Sequence, residues 1–168
     1  MKSKKIAMVA LTSLLAMTWG TTALAQVHHE VEMSRSQIQA DRQAIVAANL
    51  PMTEPQSTAF WPLYREYRAE MAKVGDRTVG LIESYAKNMD SMTDPQAKQM
   101  LDEFFAIRKQ ETKIMSSWAG KFGKVLPPKG VARFYQIENK LDAIIRYEVA
   151  ATVPLIEHKP GESQPEAK

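Results

Sequence analysis

The sequence predicts an all-α protein of four helices, in which the second and third form a long antiparallel hairpin. Apolar residues recur at spacings of three and four along most of the chain, and no alternating strand pattern appears. In addition, the pentapeptide Met-Thr-Glu-Pro-Gln at 52–56 recurs as Met-Thr-Asp-Pro-Gln at 92–96, each time directly before such an apolar run. The two copies therefore predict the starts of two long helices.

The repeated pentapeptide has the chemistry of a helix N-terminus. A threonine at the N-cap accepts a hydrogen bond from the N3 backbone amide, and a glutamine at N3 bonds back to the N-cap amide. The acid after each threonine lies where the helix dipole favours an anion, and proline costs little in a first turn. The predicted capping residues are Met52, Thr53 and Gln56 in the first copy and Met92, Thr93 and Gln96 in the second.

The first 25 residues have the pattern of a secretory signal peptide. Three lysines precede an apolar stretch over 6–19, and Ala23-Leu24-Ala25 matches a cleavage site. We expect cleavage after Ala25 and a periplasmic product. The rest divides into a flexible arm over 26–33, a helical domain over 34–153 and a disordered tail over 154–168. No later segment has the roughly 18 apolar residues of a membrane span.

Composition excludes several classes of function. Three of the 22 basic residues lie in the signal, which contains no acid, so the rest of the chain has 19 basic and 19 acidic residues. This balance does not favour nucleic acid or an anionic membrane as a partner. Since the chain has no cysteine, disulfides, thiol catalysis and thiolate metal sites are excluded.

The first two helices follow from periodicity and proline. The first should begin at Ser34 or Ser36 and end near Asn49, because Pro51 disfavours helix in the residue before it. The second should run from Glu54 towards Asp90, with Pro62 either kinking it or marking its start. The residues predicted to face its neighbours recur in steps of four and three, and we call such a row the seam of the helix. For this helix the seam is Phe60, Tyr64, Tyr67, Met71, Val74, Thr78, Leu81 and Tyr85.

The third helix should run from Asp94 to about Lys124. Arg108 and Glu111 place charge in its seam, either as a pair at a partly exposed boundary or as a buried polar layer that fixes register. The predicted seam is Ala97, Leu101, Phe104, Arg108, Glu111, Met115, Trp118, Phe122 and Val125.

The fourth helix should occupy about Lys129 to Thr152, after a break at Val125-Leu126-Pro127-Pro128. A turn near Ser91 makes the second and third helices antiparallel neighbours. We therefore expect Phe60 to face Phe122, and Met71 to face Glu111.

The histidines offer one candidate metal site. His28 and His29 lie beside Glu30 and Glu32, and imidazole with carboxylate suits zinc, nickel or copper. Adjacent residues rarely supply a complete metal site without distant partners, so a solvated arm is the favoured interpretation. No histidine lies between His29 and His158. Acid–base catalysis, a nucleophilic triad and a di-metal bundle are therefore not expected. We predict that the protein is not an enzyme and needs no cofactor.

Methionines and aromatic rings indicate a possible binding surface. Seven methionines follow the signal, and most should form core. The apolar rows are nevertheless wider than a single seam, and left-over apolar surface is typical of a dimer interface or a protein-binding surface. The candidates for this surface are Met71, Met100, Phe104, Phe105, Ile114 and Met115.

These features resemble the Spy/CpxP family of periplasmic proteins. The peptide at 52–56 matches the family's first Leu-Thr-x-x-Gln motif with Met52 in place of leucine. The second motif would fall at 126–130, where Pro127 and Gly130 replace its threonine and glutamine. The resemblance covers about Asp41 to Val153.

The resemblance implies long hairpins joined as an antiparallel, cradle-like homodimer. Some members of the family are ATP-independent chaperones for unfolded envelope proteins, others restrain an envelope-stress sensor kinase, and related ones bind metals. The chaperone cradle is commonly basic, whereas this chain has no net charge after the signal. We expect an exported, non-enzymatic protein that binds unfolded or envelope proteins. The alternatives are a metal-binding or metal-sensing protein using His28 and His29, and a structural envelope component.

Overall fold

A computed structural model describes residues 41–157 and shows the predicted all-α architecture. Helix α1 occupies 41–49, α2 Glu54–Asn88, α3 Asp94–Phe122 and α4 Pro128–Thr152. A single 3₁₀ turn, Met89–Ser91, lies between α2 and α3. No strand occurs within the described range. The predicted signal peptide, the arm with His28 and His29, and the tail beyond Glu157 lie outside it.

Both predicted caps are present. The backbone amide of Thr53 donates to Oε1 of Gln56 at 3.0 Å, and that of Thr93 donates to Oε1 of Gln96 at 2.9 Å. Each threonine side chain also accepts from the N3 backbone amide, which completes a capping box at both helix starts. The peptide that recurs in the sequence therefore has the same structural role twice.

Helix α2 continues through Pro62, which was predicted to kink it or to begin it. Proline has no amide to donate to the carbonyl four residues earlier, that of Thr58. Both Pro62 and Thr58 lie on the exposed side of the helix, where water can bond that carbonyl. The proline is tolerated because the bond it removes lies on the solvent side.

The helices α2 and α3 form the predicted antiparallel hairpin, with Phe60 and Phe122 facing each other at 5.4 Å between ring centroids. Helix α4 runs parallel to α2, since Phe134 lies beside Tyr64 near one end and Pro154 accepts from the Tyr85 hydroxyl near the other. Helix α1 runs antiparallel to α4. Its Arg42 bonds to Asp142, whereas Asn49 accepts from Arg133, nearer the start of α4.

A cluster of aromatic rings forms the core at the end where α1, α3 and α4 meet α2. The rings of Phe60, Phe122 and Phe134, from three different helices, lie 4.7 to 5.4 Å apart. Such ring pairs contribute about 0.5–1.5 kcal/mol each beyond the burial of their area. The remaining buried members of this core are Val46, Leu50, Tyr64, Tyr67, Met71, Trp118 and Leu126.

The turn between α3 and α4 brings the chain back tightly onto this core. Leu126 is buried in it, and Pro127 and Pro128 begin α4. A Cβ on Gly130 would lie 3.3 Å from both Leu126 Cβ and Pro127 Cδ. Glycine therefore suits this position because the backbone of α4 approaches the turn closely.

The seam of α3 differs from the prediction over its first half. Leu101 and Phe104 are 53% and 42% exposed, whereas Ile107, which lies outside the predicted seam, is buried. Arg108 instead pairs with Glu111 at 3.0 Å at a partly exposed boundary, as the first of the two interpretations stated. The spacing identified the apolar side of the helix but not how much of that side a neighbour covers.

We predict that Thr53→Ala lowers the free energy of unfolding by about 1 kcal/mol, because the N3 amide of α2 then loses its acceptor. Urea denaturation measures this change. Thr58→Ala is the matched control, since Thr58 is exposed inside the same helix, and alanine there should be neutral or slightly stabilising. Equal destabilisation by the two substitutions would contradict a capping role.

Candidate functional site

One surface feature of the described residues is a strip of apolar side chains on α3, which we call the α3 strip: Leu101, Phe104 and Phe105. They are 53%, 42% and 59% exposed. Their spacing places them on one side of the helix, and the Phe104 and Phe105 rings contact each other at 5.5 Å between centroids. Single exposed apolar residues are ordinary, whereas a contiguous set of large ones is typical of a binding surface.

The six candidate surface residues occupy three different environments. Phe104 and Phe105 are exposed in the strip, and Met100 is half-buried one residue before it. Ile114 and Met115 are half-buried and pack against the aromatic core, and Met71 is buried within that core. Large apolar side chains outside this candidate set are also exposed, on and after α4: Ile144, Tyr147, Leu155 and Ile156.

Charged groups around the strip are largely paired with each other. Lys98 and Asp102 are 2.6 Å apart on the exposed side of α3, and Arg77 of α2 bonds to Glu103 at 2.8 Å. The Arg108 guanidinium lies 5.3 Å from the centre of the Phe104 ring. Of these groups only Arg108, which shares the carboxylate of Glu111 with Arg146, lacks a carboxylate of its own.

A buried layer of charged groups lies next to the aromatic core. Arg42 of α1 bonds through Nη1 to Glu138 at 2.8 Å and through Nη2 to Asp142 at 2.6 Å, both on α4. Arg68 of α2 bonds to the same Glu138 oxygen, Oε2, at 3.0 Å. The side chains of Arg42 and Glu138 are 2% and 0% exposed. The layer therefore joins α1, α2 and α4 through one carboxylate.

Burial and charge act against each other in this layer. Burial raises the pKa of Glu138 above its ordinary value, although Arg42 and Arg68 pull it down. Burial likewise opposes the charge on Arg42, but Glu138 and Asp142 outweigh it and raise the pKa of that guanidinium. The second oxygen of Glu138, Oε1, has no hydrogen-bond partner within residues 41–157. The ion pairs of Oε2 therefore offset only part of the free-energy cost of removing this carboxylate from water.

The positions of Glu138 and Arg42 in the sequence indicate this layer, although the charged residues predicted above were Arg108 and Glu111. Glu138 lies between Phe134 and Leu141 at helical spacing, so it occupies the apolar stripe of α4. Arg42 likewise precedes the buried Val46 by one turn. A charged residue at the spacing of buried apolar residues is expected to be buried and to have a buried partner. Arg68 lies outside the predicted seam of α2, so its part in the layer could not be predicted in this way.

A groove opens between α2, α3 and α4 on the far side of the charged layer. It has a volume of about 380 Å³, and its walls include Val74, Ile107, Ile145 and Val149, with Arg108 and Arg146 also lining it. Met71 and Glu111, predicted to face each other, both line this groove. The hairpin is therefore less closely packed here than in the aromatic core.

The described part of the chain contains neither a candidate metal site nor a candidate membrane-spanning helix. Residues 41–157 contain no group of three or more histidine, aspartate or glutamate side chains placed to hold a metal ion. None of the helices in this range is long and apolar enough to cross a bilayer. The candidate ligands His28 and His29 lie outside the range.

No family model, curated protein or solved structure matches this chain. The resemblance to the Spy/CpxP family therefore stays a prediction based on the two motif positions.

We predict that Glu138→Leu lowers the free energy of unfolding by about 3–5 kcal/mol, because it leaves Arg42 buried without its main partner. The double change Arg42→Met/Glu138→Leu should cost less than the single one, because both fully buried charges are then removed. Arg68 and Asp142 each lose a partner, but their side chains are 19% and 17% exposed and can be hydrated. Urea denaturation measures both values. Glu103→Leu is the control, because its pair with Arg77 is about 40% exposed and should contribute less than about 1 kcal/mol. A double variant less stable than Glu138→Leu would contradict this account.

The buried tyrosines predict a loss of stability at alkaline pH. Burial, followed by the charge of Glu138, raises the pKa of Tyr135 to about 12 and those of Tyr64 and Tyr67 well above their ordinary value of 10.0. The unfolded chain releases these protons near pH 10 while the folded chain retains them. The contribution of these tyrosines to the free energy of unfolding should therefore be fully present below about pH 10. It should be lost progressively as the pH rises towards 12.

Tyr67→Phe tests this dependence, because the buried Tyr67 hydroxyl has no hydrogen-bond partner in the described structure. At neutral pH the variant should be as stable as the native chain or more stable by about 1 kcal/mol. Between about pH 10 and 12 its stability should fall less steeply. Tyr147→Phe, at a ring that is 76% exposed, is the control. A strongly destabilised Tyr67→Phe variant would show that the hydroxyl has a partner.

Proposed function

We propose that this protein binds other proteins through the α3 strip and acts as an ATP-independent chaperone or stress accessory for unfolded chains in the periplasm. The observation that carries the proposal is the contiguous exposure of Leu101, Phe104 and Phe105. These side chains are about half exposed, so covering them would add roughly half of the 1.5–3 kcal/mol that full burial of such a side chain contributes, or about 1 kcal/mol each. A partner that covers them provides that stabilisation, and the proposed role requires no catalysis.

The chemistry of the strip favours partners that are unfolded and not tightly specified. Phenylalanine rings such as Phe104 and Phe105 bury a large apolar area at protein interfaces, and the neighbouring Met100 repacks at low cost around different shapes. The paired charges at Lys98 and Asp102 offer no electrostatic pattern for one chosen partner. Exposed apolar segments of an unfolding protein are the chemistry that such a surface accommodates.

The predicted signal sequence supports the periplasm as the compartment, and the resemblance to the Spy/CpxP family supports the chaperone class. The family also implies an antiparallel homodimer, which we include in the proposal. A dimer whose interface includes the strip would hide the client surface. The mass of the protein at the concentration of the assay should therefore be measured together with its activity.

Aggregation of an unfolding client, followed by light scattering, tests the proposal. The protein at stoichiometric amounts should suppress aggregation, and Leu101→Ser/Phe105→Ser should reduce the suppression several-fold. Both residues are more than half exposed, so the fold should be retained. Raising the salt concentration should change the suppression little, because the contact is apolar.

Tyr147→Ser is the matched control, since it removes another large exposed side chain, on α4. It should leave suppression unchanged. The chaperone proposal is wrong if the native chain suppresses aggregation at no ratio. Suppression that is equal in the native chain and in the strip variant would instead place the client surface elsewhere.

A further inference from the structure

The groove between α2, α3 and α4 has the size and lining of a small-molecule site. Its volume of about 380 Å³ lies within the range of roughly 300–1,000 Å³ found for ligand pockets. Val74, Ile107, Ile145 and Val149 make most of its wall apolar. A ligand that fits must therefore present a largely apolar body.

The charges around the groove do not balance, and the excess can be located. In the buried layer, two arginines face the carboxylates of Glu138 and Asp142. Farther along, Arg108 and Arg146 share the single carboxylate of Glu111, at 3.0 Å and 3.4 Å. Among these groups one positive charge is left over, beside Glu111.

The two arginines of this trio are accessible to a ligand. Arg108 and Arg146 are 43% and 40% exposed, and both line the groove. A guanidinium carries more N–H donors than one shared carboxylate can satisfy and binds a second carboxylate readily. The groove therefore joins an apolar wall to a site for one anionic group.

We propose that the groove binds a single-chain amphipathic carboxylate, that is, a medium-length fatty acid. The alkyl chain lies between α2 and α4, against Val74 and Val149, and the carboxylate accepts hydrogen bonds from Arg108 and Arg146. A neutral chain would leave the extra positive charge unmatched, and a cationic amphiphile would be repelled by it. This binding does not depend on the α3 strip acting on clients.

Calorimetric titration of the purified protein with octanoate, decanoate and dodecanoate, each below its micelle concentration, tests the proposal. Each added methylene should tighten binding about fourfold until the groove is filled. Decanol, which has the same chain without the charge, should bind at least tenfold more weakly than decanoate. Equal binding of decanol and decanoate overturns the assignment of the anionic site.

Substitutions locate the two parts of the ligand. Arg108→Gln/Arg146→Gln should weaken decanoate binding tenfold or more and leave decanol unchanged. The control Arg65→Gln/Lys113→Gln removes the same charge from two exposed positions and should bind decanoate as the native chain does. Thr78→Phe places a ring in the groove and should abolish binding of both ligands.

Three results would overturn the proposal. Decanoate could bind the Arg108→Gln/Arg146→Gln variant as tightly as the native chain, or it could bind only once micelles form. The native chain could also fail to bind decanoate at all, as expected if the groove is filled by the chain preceding Asp41. Retained aggregation suppression in that last case would show that the proposed function survives the failure of this site.

Discussion

One oxygen of Glu138 joins three helices. Oε2 accepts from Arg42 on α1 and from Arg68 on α2, while Glu138 itself belongs to α4. The aromatic core beside it is held by contacts that depend little on direction, so rings alone would tolerate small shifts of one helix along another. Hydrogen-bonded charges do not tolerate such shifts, since a displaced guanidinium would remain buried and unpaired. We interpret the layer as the constraint that fixes the register of α1 and α4 on the hairpin.

The α3 strip and the groove both lie beyond the point where the close packing of the aromatic core ends. On one side of the layer, large rings from three helices fill the space between them. On the other side, the α2 residues that face inward include Gly75 and Thr78, and they leave the groove open. There Ile107 is buried, whereas Phe104 and Leu101 are increasingly exposed. Close packing at one end of the hairpin and open packing at the other therefore come from side-chain size, within the same continuous helices.

Much of the fold could be predicted from the sequence because it rests on local chemistry. The repeated cap located two helix starts, Pro127 and Pro128 located a third, and the facing of Phe60 and Phe122 followed from the turn between the helices. The surfaces were less predictable, because exposure depends on what covers a side chain and not on its spacing. Leu101 and Phe104 have the periodicity of core residues and are nevertheless exposed.

The charged layer was the main feature that sequence reasoning did not find. The predicted seam of α3 contains two charged residues, Arg108 and Glu111. They lie one turn apart on the same helix and are only partly buried. The deeply buried pair, Arg42 and Glu138, is separated by 96 residues. The spacing of each charge within an apolar stripe indicates that it is buried, but which charge it pairs with depends on how the helices are arranged, and spacing does not record that arrangement.

That same separation has a consequence for the order in which the molecule assembles. The hairpin of α2 and α3 is formed from segments adjacent in the chain and can form early, because closing a short loop costs little entropy. Helix α1 is made first on the ribosome, yet the carboxylates that receive Arg42 are made last, on α4. Until α4 is present, Arg42 therefore lacks the two carboxylates with which it pairs in the finished structure. A nascent or truncated chain that ends before Glu138 would keep Arg42 without the carboxylate that it meets in the most deeply buried ion pair of residues 41–157.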